Sequence, residues 1–167
     1  MTQIIDLKNE QEQSELEKIC QELKNQNKTI VTSNGTFDIL HTGHLDSLQR
    51  AKAFGEILIV GVNSDSSVRE YKGDKRPINS QNDRAALIAG LKCVDYVVIF
   101  YEREPSRLLG IIKPNIHVKG EDYRTKTIFE RDVVEKNGGI IKLIPLVQDY
   151  STSKIIKKII EVYGKQT

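Results

Sequence analysis

The chain has 167 residues, enough for one ordinary domain with a sizeable core. Charged residues make up 29% of it while the net charge is only +2, so neither a broad nucleic-acid surface nor a polybasic membrane tether is indicated, and any phosphate binding must be local. No run approaches the ~18 apolar residues of a membrane span and no N-terminal apolar leader is seen, which points to a cytoplasmic protein with no membrane and no nucleic-acid partner. Cys20 and Cys93 lie far apart with no Cys-x-x-Cys pair and read as free, buried thiols in a reducing compartment.

In residues 1–28, Leu16, Ile19, Cys20 and Leu23 form a helical stripe in a charged segment, the pattern of a packing helix ahead of the main domain at residues 29–167. Thr29-Ile30-Val31-Thr32 is β-branched and suits a buried strand. Asn34-Gly-Thr-Phe-Asp-Ile-Leu-His-Thr-Gly-His44 follows, and Leu45, Leu48, Ala51 and Lys52 continue at helical spacing. The segment therefore lies at a strand-to-helix crossing, where free N–H groups and the positive end of the helix dipole favour an anion by about 0.3–1 kcal/mol per exposed charge. His41 and His44 are three apart, so both rings fall on one side of the first turn.

Further strands are predicted at residues 57–62, 96–100, 116–118 and 140–144, making five with the first. Helical segments separate them. Ser80 with Asp83 three residues on reads as a capping box, Pro105 suits the first turn of a helix ending before Pro114, and Gly138-Gly139 closes another near Asn137. Strands alternating with helices predict an α/β fold: a five-stranded parallel sheet, Rossmann-like, with helices on both faces and ligands gathered beyond the carboxyl ends of the strands.

Those strand ends carry polar motifs. Asn63-Ser64-Asp65 leads to the loop Lys72-Gly73-Asp74-Lys75-Arg76-Pro77; Lys119-Gly120-Glu121-Asp122-Tyr123 follows the fourth strand; Ser151-Thr152-Ser153 precedes the apolar pattern Ile155, Ile156, Ile159, Ile160, a second helix start able to hold phosphate oxygens. Read by themselves, Asp38, His41, His44 and His117 also allow a metal site. The duller readings are a helix-start histidine pair without ligand, a solvated lysine loop, and an Arg84 that pairs with an acid on its own helix.

The ordered motifs Gly-Thr-Phe-Asp, His-x-Gly-His, Val-Asn-Ser-Asp, Lys-Gly-Asp-Lys-Arg-Pro, Val-Lys-Gly-x-Asp-Tyr and Ser-Thr-Ser-x-Ile-Ile resemble the cytidylyltransferase-like nucleotidyltransferase superfamily. Within it they are most similar to the nucleotidyltransferase half of bifunctional ADP-heptose synthase, over residues 34–160. No sugar-kinase segment accompanies them, so a stand-alone form is expected. The resemblance implies transfer of AMP from ATP, with Mg²⁺, to D-glycero-D-manno-heptose 1-phosphate, giving ADP-heptose and pyrophosphate for a bacterial surface glycan. It implies catalytic roles for His41, His44 and Lys72, and nucleotide contacts from Gly35, Thr36, Phe37, Gly43, Lys119, Gly120, Asp122, Ser151 and Thr152. Asp38, Arg76 and Arg84 would serve the substrate, with no metal held by the protein itself, and a homodimer is implied.

Two alternatives stay open. One keeps the chemistry with CTP and glycerol 3-phosphate or another alcohol or sugar phosphate. Enzymes of that kind tend to carry an arginine several residues before the Ser-Thr pair, where this chain has Leu146-Val147-Gln148-Asp149-Tyr150, and they use a tryptophan that this chain lacks. The other is a nucleotide-binding module without turnover.

Overall fold

The computed structural model describes residues 2–145, 147 and 150–164. The Leu146 position, and Gln148 and Asp149 beside it, lie outside the described residues. The chain order is β1 (Gln3–Asp6), α1 (Glu10–Asn25), β2 (Ile30–Gly35), α2 (Thr42–Lys52), β3 (Ile57–Asn63), α3 (Asp65–Lys72), α4 (Gln81–Ala89), β4 (Tyr96–Phe100), α5 (Ser106–Ile112), β5 (Ile116–Gly120), α6 (Arg131–Lys136), β6 (Ile140–Ile144) and α7 (Thr152–Tyr163). All strand pairs are parallel, in the order β1-β4-β3-β2-β5-β6.

Parallel strands covered on both faces must be apolar on both, and β3 is buried along nearly its whole length. Val31, Val60, Val62, Val97 and Ile99 pack with Leu48 and Ala51 of α2 and Ala85 and Ile88 of α4 on one face. Ile30, Ile59, Val98 and Phe100 pack with Leu16, Cys20 and Leu23 of α1 and Leu108 and Ile112 of α5 on the other. Burial pushes the Cys20 thiol up to about 11, so it behaves as a small apolar group.

The sheet has six strands, one more than expected. Residues 3–6 add a parallel edge beside β4, in the register Gln3↔Tyr96 to Asp6↔Ile99, so the N-terminal segment brings a strand as well as the packing helix. Four residues with two isoleucines, one of them exposed, carry too weak a pattern to be read alone. The pairing also depends on a partner some ninety residues away. A second difference concerns Lys72, which is the last residue of α3 and not part of the loop that follows. Ser64 caps α3 by accepting from the Ser67 N–H, and among its own residues only Ser67 and Val68 are buried, so no apolar stripe announced it. The expected cap at Ser80 is present, its hydroxyl oxygen accepting from Asp83 N–H at 3.2 Å.

From β2 the chain runs outward through β3 to β4, and β5 then returns to the other side of β2. The order thus reverses between β2 and β5, where two crossovers diverge and leave a crevice beyond the strand ends.

Candidate active site

A cavity of about 590 Å³ occupies that crevice. Its floor is the end of β2 (Ser33, Asn34, Gly35) and of β5 (Val118, Lys119, Gly120); Thr36, Phe37, His44, Lys72, Asp122 and Tyr123 add to its walls.

Gly35 lets the Phe37 ring fold back over the strand end, since a Cβ there would sit 3.2 Å from ring carbons. The turn that follows is strained: Phe37 and Ile39 have φ of 51° and 52°, a region costly for a bulky side chain and most of all for the branched Cβ of Ile39. Asp38 between them holds the turn. Its carboxylate, with no exposed surface, accepts from the N–H groups of Ile78 (2.9 Å) and Asn79 (3.0 Å) and from Arg76 Nε (2.8 Å). Burial would raise this carboxyl, but the two amides and the guanidinium more than offset it, and the group is held below the usual carboxylate range. The Thr152 hydroxyl donates to the Asp38 carbonyl at 2.5 Å, so the start of α7, capped by Ser151, is tied to the same turn.

His41 is the N-cap residue of α2 but makes no side-chain cap, and the first turn contains no acidic residue, so the positive end of the helix is uncompensated from within. His41 and His44 stack with centroids 3.7 Å apart and planes 19° apart. Phe37 meets His44 edge-on at 5.3 Å. Gly43 permits the stack, because a Cβ there would lie 3.1 Å from the His41 ring and 3.2 Å from Tyr150 Cβ. Burial, then the charges of His41 and Lys72, drive His44 down to about 4, and burial lowers His41. Both rings are therefore neutral at pH 7, as a close stack requires. Their Nδ1 atoms are buried and have no hydrogen-bond partner among the described residues. Lys72 also lines the cavity, its ammonium eased toward the neutral form by burial and by Arg76.

Other expected residues lie behind the cavity wall. Arg84 has no exposed surface, and its guanidinium donates to the carbonyls of Thr36 (2.5 Å), Asn63 (2.8 Å) and Asn79 (3.0 Å) and to Asp65 Oδ1 (2.8 Å). The grip on a substrate phosphate expected of Arg84 gives way to a clamp joining the ends of β2 and β3. Asp38 and Arg76 likewise anchor the turn and do not line the cavity, because their charges are spent on each other and on backbone amides. His41, Gly43, Ser151 and Thr152 also stand outside its lining. The alternative metal set is not assembled: His117 is enclosed in β5, and among the described residues no three His, Cys, Asp or Glu side chains are grouped to hold a metal ion.

The sequence patterns include Asn34 and Asn63 but give them no role, and they pass over Ser47, Tyr71, Arg103 and Glu104; all six lie on the cavity. Ser47 could have been found one turn after His44, and Tyr71 beside Lys72, where its hydroxyl pairs with Thr36 Oγ1 at 2.7 Å. Arg103 and Glu104 arrive from the loop after β4, with no signal beyond their place at a strand end.

A doubly wound parallel sheet with a glycine turn and an uncapped helix start at its switch point defines a nucleotide-binding α/β protein. Residues 32–158 match the cytidylyltransferase-like family, and the chain belongs to that family of nucleotidyltransferases. It is 48% identical over 143 residues to the bifunctional protein HldE of Geobacter metallireducens and 50% identical over 144 residues to that of Helicobacter pylori strain J99. Each alignment covers 86% of this chain but only 29% and 30% of the relative, so the chain spans less than a third of the length of these proteins. A lipopolysaccharide core biosynthesis protein from Thermoplasma volcanium superposes with a TM-score of 0.61 at 32% identity, over 74% of this chain and 99% of that one. The pantoate-beta-alanine ligase of Francisella tularensis shares the fold, with a TM-score of 0.61 at 19% identity over 96% of this chain and 78% of that one. Among the described residues no helix is long and apolar enough to cross a membrane.

Proposed function

We propose that the chain transfers AMP from ATP to a heptose 1-phosphate, giving an ADP-sugar and pyrophosphate. The observation that carries this reading is the buried, unpartnered Nδ1 of His44 at an uncapped helix start, on a cavity it shares with Lys72. The ordered motifs and the identity to HldE proteins support the sugar phosphate and ATP as the pair.

A phosphate oxygen of the sugar attacks the α-phosphorus in line. A new P–O bond forms as the bond to the β-phosphate oxygen breaks, and pyrophosphate departs with its electrons. The attacking oxygen is already anionic, so no protein nucleophile is needed, and catalysis consists of positioning and charge stabilisation. His44 donates one ring N–H to the developing charge, and the first amides of α2 point the same way. Lys72, at the end of α3 before Gly73 (φ 83°), has the reach to follow the departing phosphates. Mg²⁺ brought in with ATP would neutralise phosphate charge, and Asp38, Asp122 and Glu130, already paired with cations of the chain, would offer it few protein ligands.

Pyrophosphate release measured across four nucleoside triphosphates and several sugar and alcohol phosphates tests the reading. ATP with a heptose 1-phosphate should exceed CTP with glycerol 3-phosphate by about 10²-fold in kcat/KM; the reverse order overturns the substrate and keeps the chemistry. Pairing of two copies belongs to the same proposal, and sedimentation velocity decides it.

A further inference from the structure

Behind the β5 side of the cavity lies a buried ionic cluster that the transfer step does not use. His117 sits in mid-strand with no exposed surface; its Nδ1 is 2.8 Å from the Thr32 hydroxyl and its Nε2 3.3 Å from Glu130 Oε1. Burial keeps the imidazole neutral, and a carboxylate can only accept, so Nε2 carries the proton and the Thr32 hydroxyl donates to Nδ1. Glu130, just before α6, is 1% exposed. Burial would raise its carboxyl, but the His117 hydrogen bond and the Lys119 charge bring it down to about 2. The same oxygen pairs with the Lys119 ammonium, which also donates to Asn34 Oδ1 at 2.9 Å. Lys119 and Asn34 line the cavity, whereas Glu130 does not.

An unpaired lysine on this wall would act as a mobile phosphate cation. Here the charge is cancelled by a fixed carboxylate, and two of the three ammonium protons are already directed, one to Glu130 and one to Asn34. The pair as a whole is neutral and exerts little pull on a polyanion. What remains for a ligand, beside the Tyr123 ring whose centroid lies 4.9 Å from the ammonium, is one N–H whose direction is set by the other two. The geometry points to Glu130 as a positioning residue that makes Lys119 a fixed hydrogen-bond donor to an uncharged acceptor on the nucleoside half of the nucleotide. Triphosphate recognition is thereby left to the α2 side. The assignment rests on the nucleotide-binding part of the proposed function.

Titration calorimetry with ATP, adenosine and inorganic tripolyphosphate tests it on wild type, Lys119→Met and Glu130→Gln, with thermal melts to report folding. Lys119→Met should weaken ATP and adenosine by the same factor, about tenfold, and leave tripolyphosphate within about twofold. Glu130→Gln should weaken adenosine by about threefold or more and, by freeing the Lys119 charge, strengthen tripolyphosphate. Loss of tripolyphosphate affinity in Lys119→Met equal to the loss for ATP would make Lys119 a phosphate ligand and overturn the assignment, as would unchanged adenosine binding. If Glu130→Gln does not fold, Lys119→Met and Lys119→Arg decide: arginine, which cannot reproduce the three-way geometry, should weaken adenosine while retaining its charge. A wild type that binds adenosine yet releases no pyrophosphate with any pair ends the transfer reading alone. A wild type that transfers while binding no adenosine, or whose adenosine affinity is untouched in Lys119→Met, ends this assignment alone, and a wild type that binds neither adenosine nor ATP ends both.

Discussion

On the α2 side of the cavity, polar groups are left short of partners among the described residues: two stacked neutral imidazoles, buried Nδ1 atoms with none, and a helix start without a side-chain cap. On the β5 side the charges are matched, Lys119 to Glu130 and Glu130 to His117, and beneath the floor Arg84 meets Asp65 and three carbonyls. The β5 side is also the more enclosed: His117, Lys119 and Glu130 are buried, whereas His41 and His44 are half-buried and Lys72 is exposed. A group left unsatisfied in a low-dielectric setting costs about 1–3 kcal/mol, which a ligand bringing the complementary charge recovers. A matched ion pair has no such reserve and holds geometry instead. The contrast suggests a division in which the unsatisfied wall receives the charged part of the nucleotide and the satisfied walls shape and orient the rest.

The largest test of that division is His44→Ala, expected to lower kcat by about 10²–10³ with a far smaller change in ATP affinity, as for loss of a donor used mainly in the transition state. Steady-state kinetics within threefold of wild type would remove His44 from the mechanism. Lys72→Met should slow turnover by about 10–10², and ATP with Mg²⁺ should suppress protease cutting after α3 in the wild type. Cutting that is indifferent to saturating nucleotide would mark a static surface segment.

Asp38→Asn probes the satisfied side. It keeps the shape but removes the charge that orders Arg76 and two amides, and a loss of about 1–3 kcal/mol in urea unfolding is expected. The smallest effects are proton-linked. His44 titrates near 4 in the folded chain against 6.5 ordinarily, so the unfolded chain takes up its proton first. The contribution of this ring to stability is complete above pH 6.5, falls as pH drops from 6.5 to about 4, and is constant below, a change on the order of 1–3 kcal/mol that His44→Asn should abolish. A triphosphate beside the ring favours imidazolium, so ATP binding at pH 6 should take up protons, seen as a buffer-dependent calorimetric enthalpy. Glu130 follows the same sign at lower pH: its folded value near 2 lies below the ordinary 4.5, so its contribution is present above 4.5 and lost between 4.5 and 2. An acid limb unchanged in Glu130→Gln would show that Glu130 is not paired with His117 and Lys119 in solution.

Local pattern decided a good deal of this protein. β-branched runs bounded by turn residues marked β2 to β6, caps at Ser80 and Ser151 marked helix starts, and the glycine turn with two histidines three apart marked a strand-to-helix crossing, because each of these signals is written within a few residues. Edge strand β1 escaped because its pairing is a contact between distant segments, and α3 because polar residues hide a helix held by its cap. The tertiary structure alone decided which charges face the cavity. Arg84, Asp38 and Arg76 look from the sequence like ligand groups beside Lys72 and His44, yet they are consumed by carbonyls, amides and one another. Glu130, which nothing near it in the chain singles out, becomes the partner of both His117 and Lys119. A charged side chain carries no local sign of whether its partner will be water, substrate or a residue a hundred positions away. That is settled when the sheet closes and desolvation forces each buried charge to find its match.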